Sequence, residues 1–432
     1  MPHGTRRPGS PGIPTEEQTK ALRDSIRLTE KIIGRAPEST QTEEDMAPVL
    51  AKCVLVDSPD HPSLCEIGKM LSDTNAVLAV DTEFVRTNTF YPVAALIQVS
   101  DGETAYLIDP IGLGEKAFSD VARQFSDAEA TLLMFSMHED LEVFLRYGGS
   151  IPKRVEDLQI MAGFAGLEPN VGLAATLASA ISIELKKEQT TSLWLQRPLD
   201  NAQLCYAAQD VLYLHKTRDK FMEEMRKRGN EFIFQEEMSI CLSDANQTTD
   251  DTDYVSMVDA MRQRATKQDV DALRRLMIWR IQTARKLNRA PGQIIPNKAL
   301  WNIARERPET VQELVGCGVH GNSARLNVSE ISNELRKASG DSDVYFPDPE
   351  KFPLIQSLST CVATELKDAA IEAGMSPALG CSKKKAYEFA RWHLETAKNQ
   401  CRLPTPYVMK GQWRSKIALA VAASFLEKLR QS

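Results

Sequence analysis

Residues 76–80 form an unbroken apolar run, Ala-Val-Leu-Ala-Val, that ends in Asp81-Thr82-Glu83. An apolar run of this length with polar flanks predicts a buried strand over 76–83. Further strand-like runs cover 93–100 and 104–109, and Asp101-Gly102 between them predicts a tight hairpin turn. Leu132–Phe135 reads as another short strand. Ser136 with Glu139 three residues on is a capping-box pattern, so a helix is expected to start there. Asp200 with Gln203 is a second such start and opens a run of helical periodicity through Leu214. A meander of strands followed by alternating helices and strands predicts an α/β domain from about 52 to 235.

The pattern changes beyond that domain. Residues 242–258 are polar, acidic and nearly free of large aliphatics, and read as a linker. Helical periodicity then resumes in two blocks, 260–340 and 350–432, separated by the Pro347-Asp348-Pro349 break. Residues 1–50 read as a polar, disordered extension with one short helix around 16–33.

Three places along these elements carry candidate chemistry. Side chains alternate across a strand, so Asp81 and Glu83 project together from one face. Two such acids are either the solvated end of a strand or a pair held together by a cation. Asp140 falls in the first turn of the predicted helix, where an acid also complements the helix dipole. Tyr206 and Asp210 are four apart and share one helix face. On a helix otherwise rich in Ala, Leu and Val, Asp210 is either a hydrogen-bonded buried acid or part of a site.

Together these residues resemble a known family. Asp81-Thr82-Glu83, Asp140 and Tyr206-xxx-Asp210 match the three motifs of the DEDD-type 3′-to-5′ exonucleases, in the subclass with Tyr four residues before the last Asp. The wording DTEFVRTNTFYP (81–92), EDLEVF (139–144) and RPLDNAQLCYAAQDVLYL (197–214) is similar to the bacterial ribonuclease D family. WRIQTARKLNRAP and LWNIARERPETVQELV resemble its HRDC domain, and SKKKAYEFARW and GQWRSKIALAV a second, more divergent HRDC-like bundle. The resemblance covers roughly 55–432. It implies an α/β ribonuclease H-like exonuclease domain, a mixed sheet with helices, followed by two all-α HRDC-like helical bundles.

The implied activity is metal-dependent removal of 5′-mononucleotides from an RNA 3′ end. Asp81 would bridge two divalent ions, Glu83 and Asp210 complete one site, and Asp140 help hold the other. Tyr206 would orient the attacking water, as a positioner more than a base, since a free phenol has a pKa near ~10. Four carboxylates without a Cys or His ligand suit Mg²⁺ or Mn²⁺ and argue against zinc. Phe84, His138, Lys187 and Arg197 are candidate substrate contacts, with Phe84 equally readable as a core side chain. The chain departs from the family pattern at Phe135, Thr191 and Leu193, which touches substrate preference more than metal binding. The expected partner is a transfer RNA precursor with a free 3′ end. A catalytically silent RNA-binding protein and a 3′-to-5′ DNA exonuclease of the same fold remain as alternatives.

Composition adjusts this picture. The formal net charge is −7, awkward for a polyanion-binding protein, but charge is unevenly placed. Arg262–Arg289 holds nine Lys or Arg against two Asp, whereas Glu231–Asp259 holds eight acids and no base. Arg274, Arg275, Arg280, Arg285, Lys286 and Arg289 are therefore either a solvated helix surface or phosphate contacts. Lys383–Lys385 is a similar, weaker candidate. Trp279 and Trp301 lie in apolar periodic patterns and are expected in the core. The 8 cysteines are scattered without metal-ligand spacing, and Cys205 reads as a small buried side chain; both suit reduced thiols. With no apolar stretch of about 18 residues and no secretory signal pattern, a cytoplasmic monomer away from the membrane is expected.

Overall fold

The computed structural model describes residues 42–185, 192–246, 254, 257–258, 265–337, 344–346, 348–395 and 403–431. The helix expected at 16–33, Lys187 and Thr191 lie outside them. The described residues fall into two compact units, one running to Ala162 and including Asn170–Glu224, the other made of Gly163–Pro169 and Met225 onward.

The first unit is built on a six-stranded sheet in the order β1-β4-β3-β2-β5-β6. Its strands are β1 (Cys53–Val56), β2 (Val77–Val85), β3 (Val93–Ser100), β4 (Ala105–Ile108), β5 (Thr131–Met134) and β6 (Val155–Asp157). The β2–β3 and β3–β4 pairs are antiparallel and the other three are parallel. Central strands buried on both faces need continuous apolar runs, which is why β3 is buried from Ala94 to Ser100. The turn between β3 and β4 is longer than the two-residue hairpin expected. Asp101 accepts hydrogen bonds from the Glu103 and Thr104 N–H groups at 2.9 Å each, so four residues make the turn.

Helices α1 (Glu43–Leu50), α2 (Ser63–Ser72), α3 (Glu115–Ser126), α4 (His138–Tyr147), α5 (Leu158–Phe164), α6 (Leu173–Ile181), α7 (Asn201–Leu212) and α8 (Leu214–Arg228) accompany the sheet. The polar extension expected over 1–50 ends earlier than predicted. Thr42 and Asp45 form a reciprocal capping box that starts α1, whose Met46 and Val49 are buried, and the helix packs on α7. In turn, α7 lies over the sheet face carrying Leu96 and Leu107, which cluster with Ala207, Trp194 and Leu199.

The second unit is helical: α9 (Glu231–Ala245), α10 (Lys267–Leu287), α11 (Asn297–Glu306), α12 (Val311–Gly316), α13 (Gly321–Arg336), α14 (Phe352–Glu372), α15 (Lys383–Glu395) and α16 (Gln412–Gln431). Helix α9 runs into the segment read as linker, and Tyr254, further along it, is buried. The apolar side of α9 overrides the polar composition that follows. In the first bundle Trp279 and Trp301 are buried as expected, and the Trp279 indole N–H donates to Glu330 at 2.9 Å. Two of the basic residues read as surface or phosphate contacts are held within the bundle instead, Arg280 buried and Arg275 partly so. Arg280 is 6% exposed and donates to the Ile295 carbonyl and Asn297, while Arg275 is paired with Asp271. Lys286 and Arg289 are exposed. In the second bundle, α14, α15 and α16 enclose Leu358, Val362, Leu366, Phe389 and Ala418. No helix among the described residues is long and apolar enough to cross a membrane.

Candidate active site

Strand β2 and helix α7 bring three carboxylates to one point. Ligand oxygens of Asp81, Glu83 and Asp210 all lie within 4.8 Å of one another. The two β2 acids share a face by strand alternation, as the sequence pattern requires. A bulge after Glu83, where the pairing slips from Leu96 to Ala94, ends that alternation; such irregularities re-aim side chains next to sites. The Asp200–Gln203 capping box that starts α7 forms in both directions, as the sequence predicts. It fixes the start of the helix that carries Tyr206 and Asp210. The Tyr206 hydroxyl donates to Asp210, and the Tyr206 ring lies 6.0 Å from that of the buried Trp194.

Asp140 stands outside this triad. It is 7% exposed in the first turn of α4 and accepts a 2.5 Å hydrogen bond from the Thr82 hydroxyl. Thr82 thus ties α4 to the strand between the two β2 acids. The capping box expected from Ser136 does not form. Ser136 is exposed with φ 65, and Asp157 at the end of β6 accepts from the N–H groups of Ser136 and Met137 at 3.1 and 3.0 Å instead. Neither Thr82 nor Asp157 was singled out from the sequence. Thr82 was signalled only by its place between two candidate ligands, and Asp157 by nothing local.

Electrostatics single out this cluster. Burial pushes Asp81 well above the usual carboxylate range, and the Asp210 charge adds to the shift. Burial does the same to Glu83, joined by the charges of Asp81, Asp210 and Asp140. Asp140 is raised by burial and by Asp81, against the opposing Thr82 hydrogen bond. Asp210 is pushed up to about 8 by burial, with the Tyr206 hydroxyl opposing and Asp140 reinforcing. Burial and the charges of Asp210, Glu83 and Asp81 raise the Tyr206 phenol further, so it is a neutral donor at any physiological pH. Crowded, desolvated acids of this kind favour a divalent cation, and their all-oxygen donor set fits a hard one.

The raised carboxylates give a pH dependence whose sign is fixed. Acids with folded-state pKa values above their unfolded ones stabilise the fold below about pH 4, and that contribution is lost as pH rises through the folded values. For Asp210 the loss begins near the ordinary carboxylate range and is complete only at about pH 8. Thermal melts of metal-free protein are expected to drop from pH 6 to 8.5 by more than those of Asp210→Asn. Added Mn²⁺ should raise the wild-type melting temperature more at pH 8 than at pH 6, because fewer protons must leave. An Mn²⁺ shift independent of pH would contradict this.

Of the remaining sequence candidates, Lys187 lies outside the described residues. Phe84 is half-buried, its ring 6.0 Å from the Arg86 guanidinium. His138 is exposed at the start of α4, two residues before Asp140. Arg197 is a correction. Its Nε and one terminal nitrogen donate to Asp109 at 2.6 and 2.7 Å, and its other N–H groups donate to the carbonyls of Ala95, Trp194 and Gln196 at 2.7–2.8 Å. A guanidinium has five N–H donors, so none is left for a phosphate. Arg197 clamps the segment before α7 onto the sheet.

Residues 60–226 match the family model described as 3′-5′ exonuclease, and residues 269–335 match that of the HRDC domain. Ribonuclease D of Escherichia coli (strain K12) is 30% identical over 380 residues, spanning 85% of this chain and 96% of that one. Ribonuclease D of Serratia proteamaculans is 29% identical over 360 residues, 82% of this chain and 94% of that one. Among solved structures, the crystal structure of Escherichia coli RNase D, an exoribonuclease involved in structured RNA processing, superimposes with a TM-score of 0.73 at 27% identity, covering 87% of this chain and 98% of that one.

Proposed function

The chain belongs to the ribonuclease D family of 3′-to-5′ exoribonucleases, and on that footing we propose that it trims the 3′ ends of transfer RNA precursors by two-metal-ion phosphodiester hydrolysis. The observation that carries this reading is the convergence of Asp81, Glu83 and Asp210 within 4.8 Å. Bound Mg²⁺ or Mn²⁺ would relieve charge on the phosphate and lower the pKa of the attacking water. Asp81, Glu83 and Asp210 would hold one ion and Asp81 with Asp140 a second, with Thr82 keeping Asp140 turned toward β2. Tyr206, a neutral phenol bonded to Asp210, orients the water without taking its proton. Phe84 and His138 contact the terminal nucleotide, as does Lys187, while Arg197 is kept for the fold. The second bundle acts as a further HRDC-like module, and the protein works as a cytoplasmic monomer.

The deciding experiment incubates the protein with RNA labelled at its terminal 3′ nucleotide, and with a matched DNA. Release of labelled 5′-mononucleotide from RNA with Mg²⁺ or Mn²⁺, and none with a chelator, is the expected result. Retention of label under every metal would favour a silent RNA binder, and equal release from DNA a nuclease without sugar selectivity. A transfer RNA precursor with a short 3′ tail should be shortened to a discrete product.

A further inference from the structure

The register of β2 with β3 sets Gln98 directly opposite Asp81. Residues opposite one another on paired strands share a face, so the Gln98 side chain rises beside Asp81 on the side covered by α7. Gln98 is 0% exposed, and neither its amide nitrogen nor its amide oxygen has a hydrogen-bond partner. Its other neighbours on this face offer little. Leu107 lies opposite on β4 and Leu96 two residues back, while Ser100, two residues on, has its hydroxyl engaged by the Gly102 N–H at 3.0 Å. A buried amide with nothing to bond is costly and needs a reason. An apolar residue would fill the same slot without that cost.

We propose that Gln98 is a positioning residue for Asp81. Its amide N–H donates to the Asp81 carboxylate when that carboxylate holds a divalent cation, fixing its orientation. This rests on the metal-dependent reading above. The orphaned amide then has a partner in the metal-loaded protein, and the cost falls on the metal-free form alone. Ligand carboxylates are commonly held this way by a hydrogen bond behind the metal.

The test is calorimetric titration of the metal-free full chain with Mn²⁺, alongside thermal melts. Gln98→Met, close in shape and lacking the amide, is expected to melt at or above the wild type without metal and yet bind Mn²⁺ about 10–100-fold more weakly. Gln98→Asn keeps the amide but leaves a void. It should melt below Gln98→Met while binding Mn²⁺ more tightly, so packing and affinity run in opposite orders. A Gln98→Met protein that fails to fold, or binds within about threefold of wild type, overturns the inference. A wild type that takes up no Mn²⁺ overturns the metal-dependent reading beneath it.

Discussion

Asp81→Ala is expected to lower mononucleotide release by about three orders of magnitude or more while leaving the protein folded and able to bind RNA. The charge of Asp81 raises Glu83, Asp140 and Tyr206 alike, which suits the bridging role proposed for it. A bound cation supplies several kcal/mol of transition-state stabilisation, and each ~1.4 kcal/mol lost is tenfold in rate. The substitution also removes one of several mutually repelling buried acids. The metal-free variant should therefore melt at or above the wild type at pH 8, as happens when strained functional sites are relaxed. Single-turnover cleavage of labelled RNA and melting of the same preparation check both halves. Asp210→Ala should behave alike. Tyr206→Phe should slow turnover with Mn²⁺ affinity nearly unchanged, since it removes a donor and no ligand. Wild-type turnover in Asp81→Ala would place the chemistry elsewhere.

The parts of this site that could be read in the chain are those fixed by short-range periodicity. Two acids one residue apart on a strand and a Tyr-Asp pair four apart on a helix need only the local period to be placed. The capping box at Asp200 was readable for the same reason. At Ser136 an equally good pattern failed, because Asp157, twenty-one residues away, takes the Ser136 N–H that the Glu139 side chain would have accepted, and Ser136 itself turns to a left-handed φ of 65. Gln98 carries no such local signal: it is one polar residue in an otherwise apolar stretch, Val93–Val99. Its place beside Asp81 depends on the register between two strands, which a sequence pattern does not specify. Strands β1 and β6, four and three residues long, are too short to show a period, and they form by pairing in parallel with β4 and β5.

Arg197 shows the same limit with the largest expected effect on stability. By resemblance it was a substrate contact, yet its partner Asp109 lies 88 residues earlier and only the fold brings them together. Asp109 is 4% exposed. Removing Arg197 leaves that carboxylate with only the Ile111 N–H at 2.8 Å and takes a donor from the carbonyls of Ala95 and Trp194; breaking a buried pair from one side costs about 3–5 kcal/mol. For a unit of this size that corresponds to a fall in melting temperature on the order of 10 °C. Arg197→Ala should show this fall, while the KM for short RNA, measured at low temperature on the folded fraction, stays near wild type. Arg197→Met combined with Asp109→Leu should recover much of the stability, since no buried charge is then left alone. If instead KM rose strongly with no change in melting, Arg197 would be reaching the substrate, and the five hydrogen bonds it makes within the fold would have to open when RNA binds.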